Sequence, residues 1–154
     1  MKKNYLKFLG MIVSSAILMY GVMYLNTYEV NHAHFSEMRL YMTILSTAVM
    51  AVVMLGFMLY MLKDKRLNLA ILGTSIVVFV SAFFLMRNQT TIDDVDYMQG
   101  MIPHHSIAIL TSERANIEDP RVRQLADDII KAQEKEITEM KNLIEDLNNS
   151  YLQL

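Results

Sequence analysis

Residues 101–109 read MIPHHSIAI, with two adjacent histidines behind a proline and a further methionine at position 98. Imidazole nitrogen and thioether sulfur together suit copper, Cu(I) above all, whereas imidazole with carboxylate suits Zn(II) or Cu(II). Met98, Met101 and His105 stand three and four residues apart, the spacing that puts side chains on one face of a helix. His104 falls toward the edge of that face. The chain has no cysteine, so disulfides, thiolate metal sites and cysteine nucleophiles are excluded. Soft donors must come from its 14 methionines and its four histidines, at positions 32, 34, 104 and 105.

These residues need a helix to hold them and a second helix to face. Thr91 with Asp94 three residues on resembles a capping box, so a helix is expected from about 92 to 116. A turn follows over 116–119. Asp119 is placed to cap the next helix and Pro120 to open it, because the first helical position needs no N–H. That helix is expected from about 120 to 148. Val122, Leu125, Ala126, Ile129, Ile130, Ile137, Met140, Leu143, Ile144 and Leu147 follow the 3–4 spacing of one buried face. An antiparallel hairpin folded about residue 118 brings Met98 and Met101 level with residues 135–140 at equal rise. Glu136 and Met140 lie there, four apart. Gln133 and Glu136 interrupt the apolar stripe at that level, and polar groups inside a stripe need partners. Pro103 removes a helical hydrogen bond and clashes with the carbonyl of Gln99, so a kink or restart is expected. Such a kink would aim both histidines at one point.

Upstream, the solvent changes. Of the residues, 53% are hydrophobic and the mean hydropathy is +0.25, too apolar for an ordinary soluble domain of 154 residues. Runs at about 6–25, 40–62 and 67–86 each have the length needed to cross a bilayer as a helix. The first competes with a signal peptide, but no A-x-A site follows it and two more runs come after. Lys2, Lys3, Lys7, Lys63, Lys65 and Arg66 fall on one side of the spans, Arg39 and Arg87 on the other. The positive-inside rule puts the N-terminus in the cytoplasm, and the 26–39 loop and the C-terminal region outside it. The expected organisation is a membrane domain, 1–87, and an extracytoplasmic helical hairpin, 88–154, at a bacterial inner (cytoplasmic) membrane. All four histidines then share the outward, periplasmic side.

Charge follows the same division. Residues 1–87 hold 3 acidic and 8 basic side chains, residues 88–154 hold 13 and 6, and the whole chain carries −2. An acidic outer region argues against a nucleic-acid partner, which needs clustered Lys and Arg. No span carries an ionisable residue at its centre, which argues against an ion-coupled transporter. A two-helix unit buries little surface, so a second hairpin is expected to complete a four-helix bundle in a homo-oligomer. In the 26–39 loop, His32 and His34 stand near Glu37 and Met38, and Glu29 to His32 has the E-x-x-H spacing of di-iron carboxylate bundles. This is a weaker candidate metal site, or a polar interfacial loop. Met50, Met54, Met58 and Met61 make a stripe along the second span that ordinary packing explains.

The run DYMQGMIPHHSIAI, an acidic turn, and PRVRQLADDIIKAQEKEITEMKNLI together resemble the bacterial domain-of-unknown-function 305 family over about residues 92–147. The resemblance implies a ferritin-like all-α bundle, with some members linked to copper binding and tolerance. It implies Asp96, Met98, Met101, His104 and His105 on the first helix, and Gln133, Glu136 and Met140 on the second, as metal-site candidates. The chain looks like a short, membrane-anchored branch of that family. Three functions follow as expectations. The first is a membrane-anchored extracytoplasmic protein that binds metal, copper foremost, for buffering or tolerance. The second is a structural or protein-interaction module of the envelope without metal. An enzyme is the third, although no nucleophile–base pair, phosphate loop or repeated E-x-x-H is present.

Overall fold

The computed structural model describes residues 2–151, and the side chains of residues 3–150. The chain is all-α: five helices, α1 (Lys2–Val22), α2 (Glu37–Met58), α3 (Lys65–Asn88), α4 (Asp94–Arg114) and α5 (Pro120–Tyr151), with one 3₁₀ turn at Val30–His32. No strand occurs among the described residues. The first three helices are long and apolar enough to cross a membrane, with candidate spans of 20 (Lys3–Val22), 22 and 24 residues. Contacts divide the chain into two compact units, residues 1–23 with 38–91 and residues 24–37 with 92–154.

The first unit holds α1, most of α2, and α3. Phe8, Ala51, Leu55 and Leu62 form its buried cluster. The Tyr5 hydroxyl donates to Asn68 Oδ1 at 2.8 Å and accepts the Asp64 N–H at 3.0 Å. Asp64 in turn caps α3, accepting from the N–H groups of Arg66 and Leu67. The apolar run continues to residue 62, but α2 stops at Met58. Asn4 and Asn68 donate their side-chain amides to the carbonyls of Met61 and Leu62. Those carbonyls belong to the turn after the helix, and side-chain donors satisfy them there.

The second unit is built on α4 and α5, joined through residues 115–119. Asp94 lies near Leu143 and Leu147, and His105 near Glu136, so the two helices run antiparallel. Asp119 caps α5 through the Arg121 N–H at 2.8 Å, with Pro120 at the first helical position. At the start of α4 the cap is Asp93, not Thr91: the Asp93 carboxylate accepts the Asp96 N–H at 2.8 Å. The Thr91 hydroxyl instead bonds the Tyr41 hydroxyl at 2.6 Å. Nor does α4 restart at Pro103. It is one helix from Asp94 to Arg114 with Pro103 buried inside it.

Ile102, Ile109 and Ile137 form the core of this unit, with Tyr28, Ile130, Met140 and Ile144 packed against them. Tyr28 comes from far up the chain. Residues 24–37 form a strap against the helical pair, fastened mainly at Ser106, which is fully buried. Ser106 Oγ accepts the Tyr28 backbone N–H at 2.7 Å and lies 3.0 Å from His32 Nδ1. The Glu113 carboxylate near the Tyr28 hydroxyl raises it above the ordinary phenol value. Farther along the strap, buried Ser36 meets α4 at Gly100, where any added Cβ would stand 3.3 Å from Ser36 Oγ. Even with the strap, Val122, Leu125 and Leu143 of the α5 stripe remain exposed. Val122 and Leu125 lie at the start of α5, beside the 115–119 connection, and Leu143 lies on the cavity lining opposite Met98.

Ser106→Ala leaves the Tyr28 N–H and one nitrogen of buried His32 without a partner, a loss of about 1–3 kcal/mol for each unsatisfied buried group. Hydrogen exchange at the Tyr28 amide is expected to accelerate, with the amide of Asp64 in the first unit unchanged. Unaltered protection at Tyr28 would show that Ser106 does not fasten the strap.

Candidate metal site on the helical pair

Along α4, positions 94, 97, 98, 101 and 105 share one side, and so do 136, 139, 140, 143 and 147 along α5. Both sets step by three and four residues. Facing each other, they line a cavity of about 480 Å³. Its walls include Met98, Met101 and His105 from α4, and Glu136 and Met140 from α5. Five of the six foremost candidates therefore meet at one place. Met98 is buried, while Met101 and Met140 are half-buried and accessible from the cavity.

His105 Nδ1 lies 3.0 Å from Glu136 Oε2. The carboxylate sits off the axis of the ring N–H, so the contact is an ion-pair distance without an aligned hydrogen bond, and buried Nδ1 has no other partner. Burial pushes the His105 imidazole below its ordinary value, Glu136 pulls it back up, and His104 lowers it further. Near neutral pH the ring is thus uncharged, the form that ligates metals.

His104 goes elsewhere. It is exposed and does not line the cavity, and its ring centroid is 6.3 Å from that of His105 with the planes at 59°. Adjacent helical residues point about 100° apart, and an unbroken α4 preserves that divergence. The expectation that Pro103 aims both histidines at one point is not met. Gln133 reaches Glu136 only at 3.5 Å and lies outside the cavity. Asp96 sits in the first turn of α4, where burial and then the neighbouring carboxylates of Asp93 and Glu37 raise it above the usual carboxylate range.

His32 and His34 lie on the strap, away from the cavity lining. His32 Nε2 stands 3.7 Å from Glu29 Oε2, and His34 Nε2 is buried without a hydrogen-bond partner. Burial first, and then the charge of Lys141, lower both imidazoles. At His32 the Glu29 carboxylate opposes the lysine charge. Among the described residues no three His, Asp or Glu side chains converge as a metal-holding group. The sulfurs of Met98, Met101 and Met140 are the further donors on the cavity lining. Three thioethers, one neutral imidazole and the Glu136 carboxylate beside it are a donor set that suits a soft cation such as Cu(I), with the carboxylates of Asp94 and Glu139 also on the lining.

Asp94, Tyr97, Glu139, Leu143 and Leu147 complete the lining and were not among the expected site residues. The 3–4 periodicity that singled out Met98 and His105 extends to all five. Tyr28, Ser36, Gly100 and Ser106 carry no such signal, because their partners stand some 60–80 positions away along the chain.

Fold and site together define an all-helical protein with three membrane-length helices and a sulfur-rich cavity between two further helices. A family model described as "Domain of unknown function (DUF305)" matches residues 94–152. Uncharacterized protein L153 of Acanthamoeba polyphaga mimivirus is 33% identical over 144 residues, covering 89% of this chain and 93% of its own. That likeness reaches well beyond the matched domain. The chain belongs to the DUF305 family. No solved structure matches it.

His32, His34 and His105 all have lowered folded-state values. From the ordinary unfolded value of about 6.5 downward, the unfolded chain takes up protons that the folded chain refuses. Stability of the second unit should be complete above that pH and fall between pH 7 and 5, levelling once the folded-state histidines also protonate. Thermal melts across this window check it. A flat profile, or one unchanged by His32→Gln with His34→Gln, contradicts the assignment of buried neutral histidines.

Proposed function

We propose that this chain is a membrane-anchored, extracytoplasmic copper-binding protein that buffers the metal or contributes to its tolerance. The observation that carries this reading is the convergence of Met98, Met101, Met140, His105 and Glu136 on one cavity. Thioethers are neutral ligands that prefer a soft, singly charged ion, and the uncharged imidazole adds a fourth neutral donor. Glu136 supplies one negative charge beside them, so a bound Cu(I) is neutralised locally without a second carboxylate in contact with His105. Half-burial of Met101 and Met140 leaves a way in and out, as a buffer requires.

Membrane anchoring draws support from the three apolar helices, and orientation from the basic residues at positions 2, 3, 7, 63, 65 and 66. With that orientation the cavity faces outward from a bacterial inner membrane, on the periplasmic side. Val122, Leu125 and Leu143, exposed on α5, support a homo-oligomer in which a second hairpin covers them to complete a ferritin-like four-helix bundle. The same exposed side chains also favour a second reading, an envelope interaction module without metal. In that case the second unit folds and self-associates identically with and without a chelator.

Competition with a chromophoric Cu(I) chelator, on the full chain in lipid nanodiscs under reducing conditions, tests the metal reading. The wild type is expected to retain one copper per chain. Met101→Leu with Met140→Leu, which keeps volume but removes sulfur, should weaken retention by about tenfold or more, equivalent to about 1.4 kcal/mol. His105→Ala should do the same, whereas His104→Ala should have no effect. Equal retention by all four proteins contradicts the proposal.

A further inference from the structure

The cavity between α4 and α5 has a second chemical character. Asp94, Glu136 and Glu139 line it, and no Lys or Arg does. Lys131 and Lys135 border an adjoining groove of α5 instead. The remaining wall is thioether, Tyr97, Leu143 and Leu147, with Tyr97 and Leu143 exposed. At about 480 Å³ the space is far larger than a single metal ion needs and falls in the range of small-molecule sites, roughly 300–1,000 Å³.

We propose that this cavity binds organic cations that have an apolar body, such as quaternary ammonium and phosphonium compounds. Methionine walls adapt their shape to varied apolar groups. Tyr97 adds an aromatic ring to the lining, and aromatic rings are the groups that recognise quaternary cations. Three carboxylates at the rim supply the charge, and because each is shared with solvent, none has to be stripped of water before the ligand arrives. An anion of the same shape gains the same apolar contacts but is repelled by the three carboxylates. A neutral body gains the apolar contacts alone. The inference stands on the lining of the cavity itself and holds whether or not copper binds there.

Tetraphenylphosphonium and tetraphenylborate have nearly the same shape and apolar surface and opposite charge, which makes them the test pair. Both are titrated against the metal-free full chain in phosphatidylcholine nanodiscs, with empty nanodiscs subtracted to remove lipid partitioning. Tetraphenylphosphonium is expected to bind saturably at one site, and tetraphenylborate is not. Asp94→Asn with Glu136→Gln and Glu139→Gln should weaken the cation by about tenfold or more. Methyl-labelled methionine NMR provides the second readout, independent of how well that variant folds. Tetraphenylphosphonium should move the Met98, Met101 and Met140 signals of the wild type. Equal binding of both ions, unchanged affinity in a folded triple variant, or shifts confined to methionines of α1–α3 would each overturn the proposal. Failure here leaves the Cu(I) competition untouched, since that experiment reads sulfur and not rim charge.

Discussion

Two packed helices have one seam between them and little else to bury, so a helical pair of this size depends on a third element. Here that element is the strap of residues 24–37, and its attachment depends on the hydroxyl of Ser106. Fully buried Oγ accepts one backbone N–H and meets one imidazole nitrogen, so three polar groups are satisfied together inside an apolar core. Ser106 neighbours His105. One side of α4 at this level is therefore committed to the strap, and the next side, a single residue away, to the cavity. What holds the second unit together also fixes which way His105 turns.

That division explains the chemistry available to the cavity. Burial keeps His105 uncharged although a carboxylate lies 3.0 Å away, because desolvation outweighs the attraction of a half-exposed Glu136. The result is a neutral nitrogen beside neutral sulfurs with negative charge at the rim. The lining thus combines soft neutral donors with the carboxylates of Asp94, Glu136 and Glu139. On the strap side, burial likewise keeps His32 and His34 uncharged, with Lys141 lowering both and Glu29 opposing it at His32.

Local signals were legible in the sequence wherever neighbours along the chain decide the outcome. Asp119 and Pro120 start α5 as their types require, and the stepping of Met98, Met101, His105, Glu136 and Met140 places them on facing helices. The start of α4 was ambiguous, since Thr91 and Asp93 each have an acidic residue three positions on. The tie is broken by the Tyr41 hydroxyl, 50 residues away, which engages Thr91. Nothing in the spacing of Ser106 or Gly100 along α4 marks them as attachment points. Their actual partners, Tyr28, His32 and Ser36, belong to a segment that sequence spacing could assign only to a loop. The apolar stripe of α5 shows a related limit: periodicity marks the side that could be buried, but the elements that pack on it decide how much of it is.

X-ray absorption at the copper edge, on the full chain loaded with Cu(I) in nanodiscs, tests the central claim most directly, because it reports the atoms bound to the metal. The account predicts a shell dominated by sulfur with one nitrogen from imidazole, losing sulfur when Met101 and Met140 are replaced by leucine. A shell of nitrogen and oxygen alone, unaltered by those replacements, would contradict it.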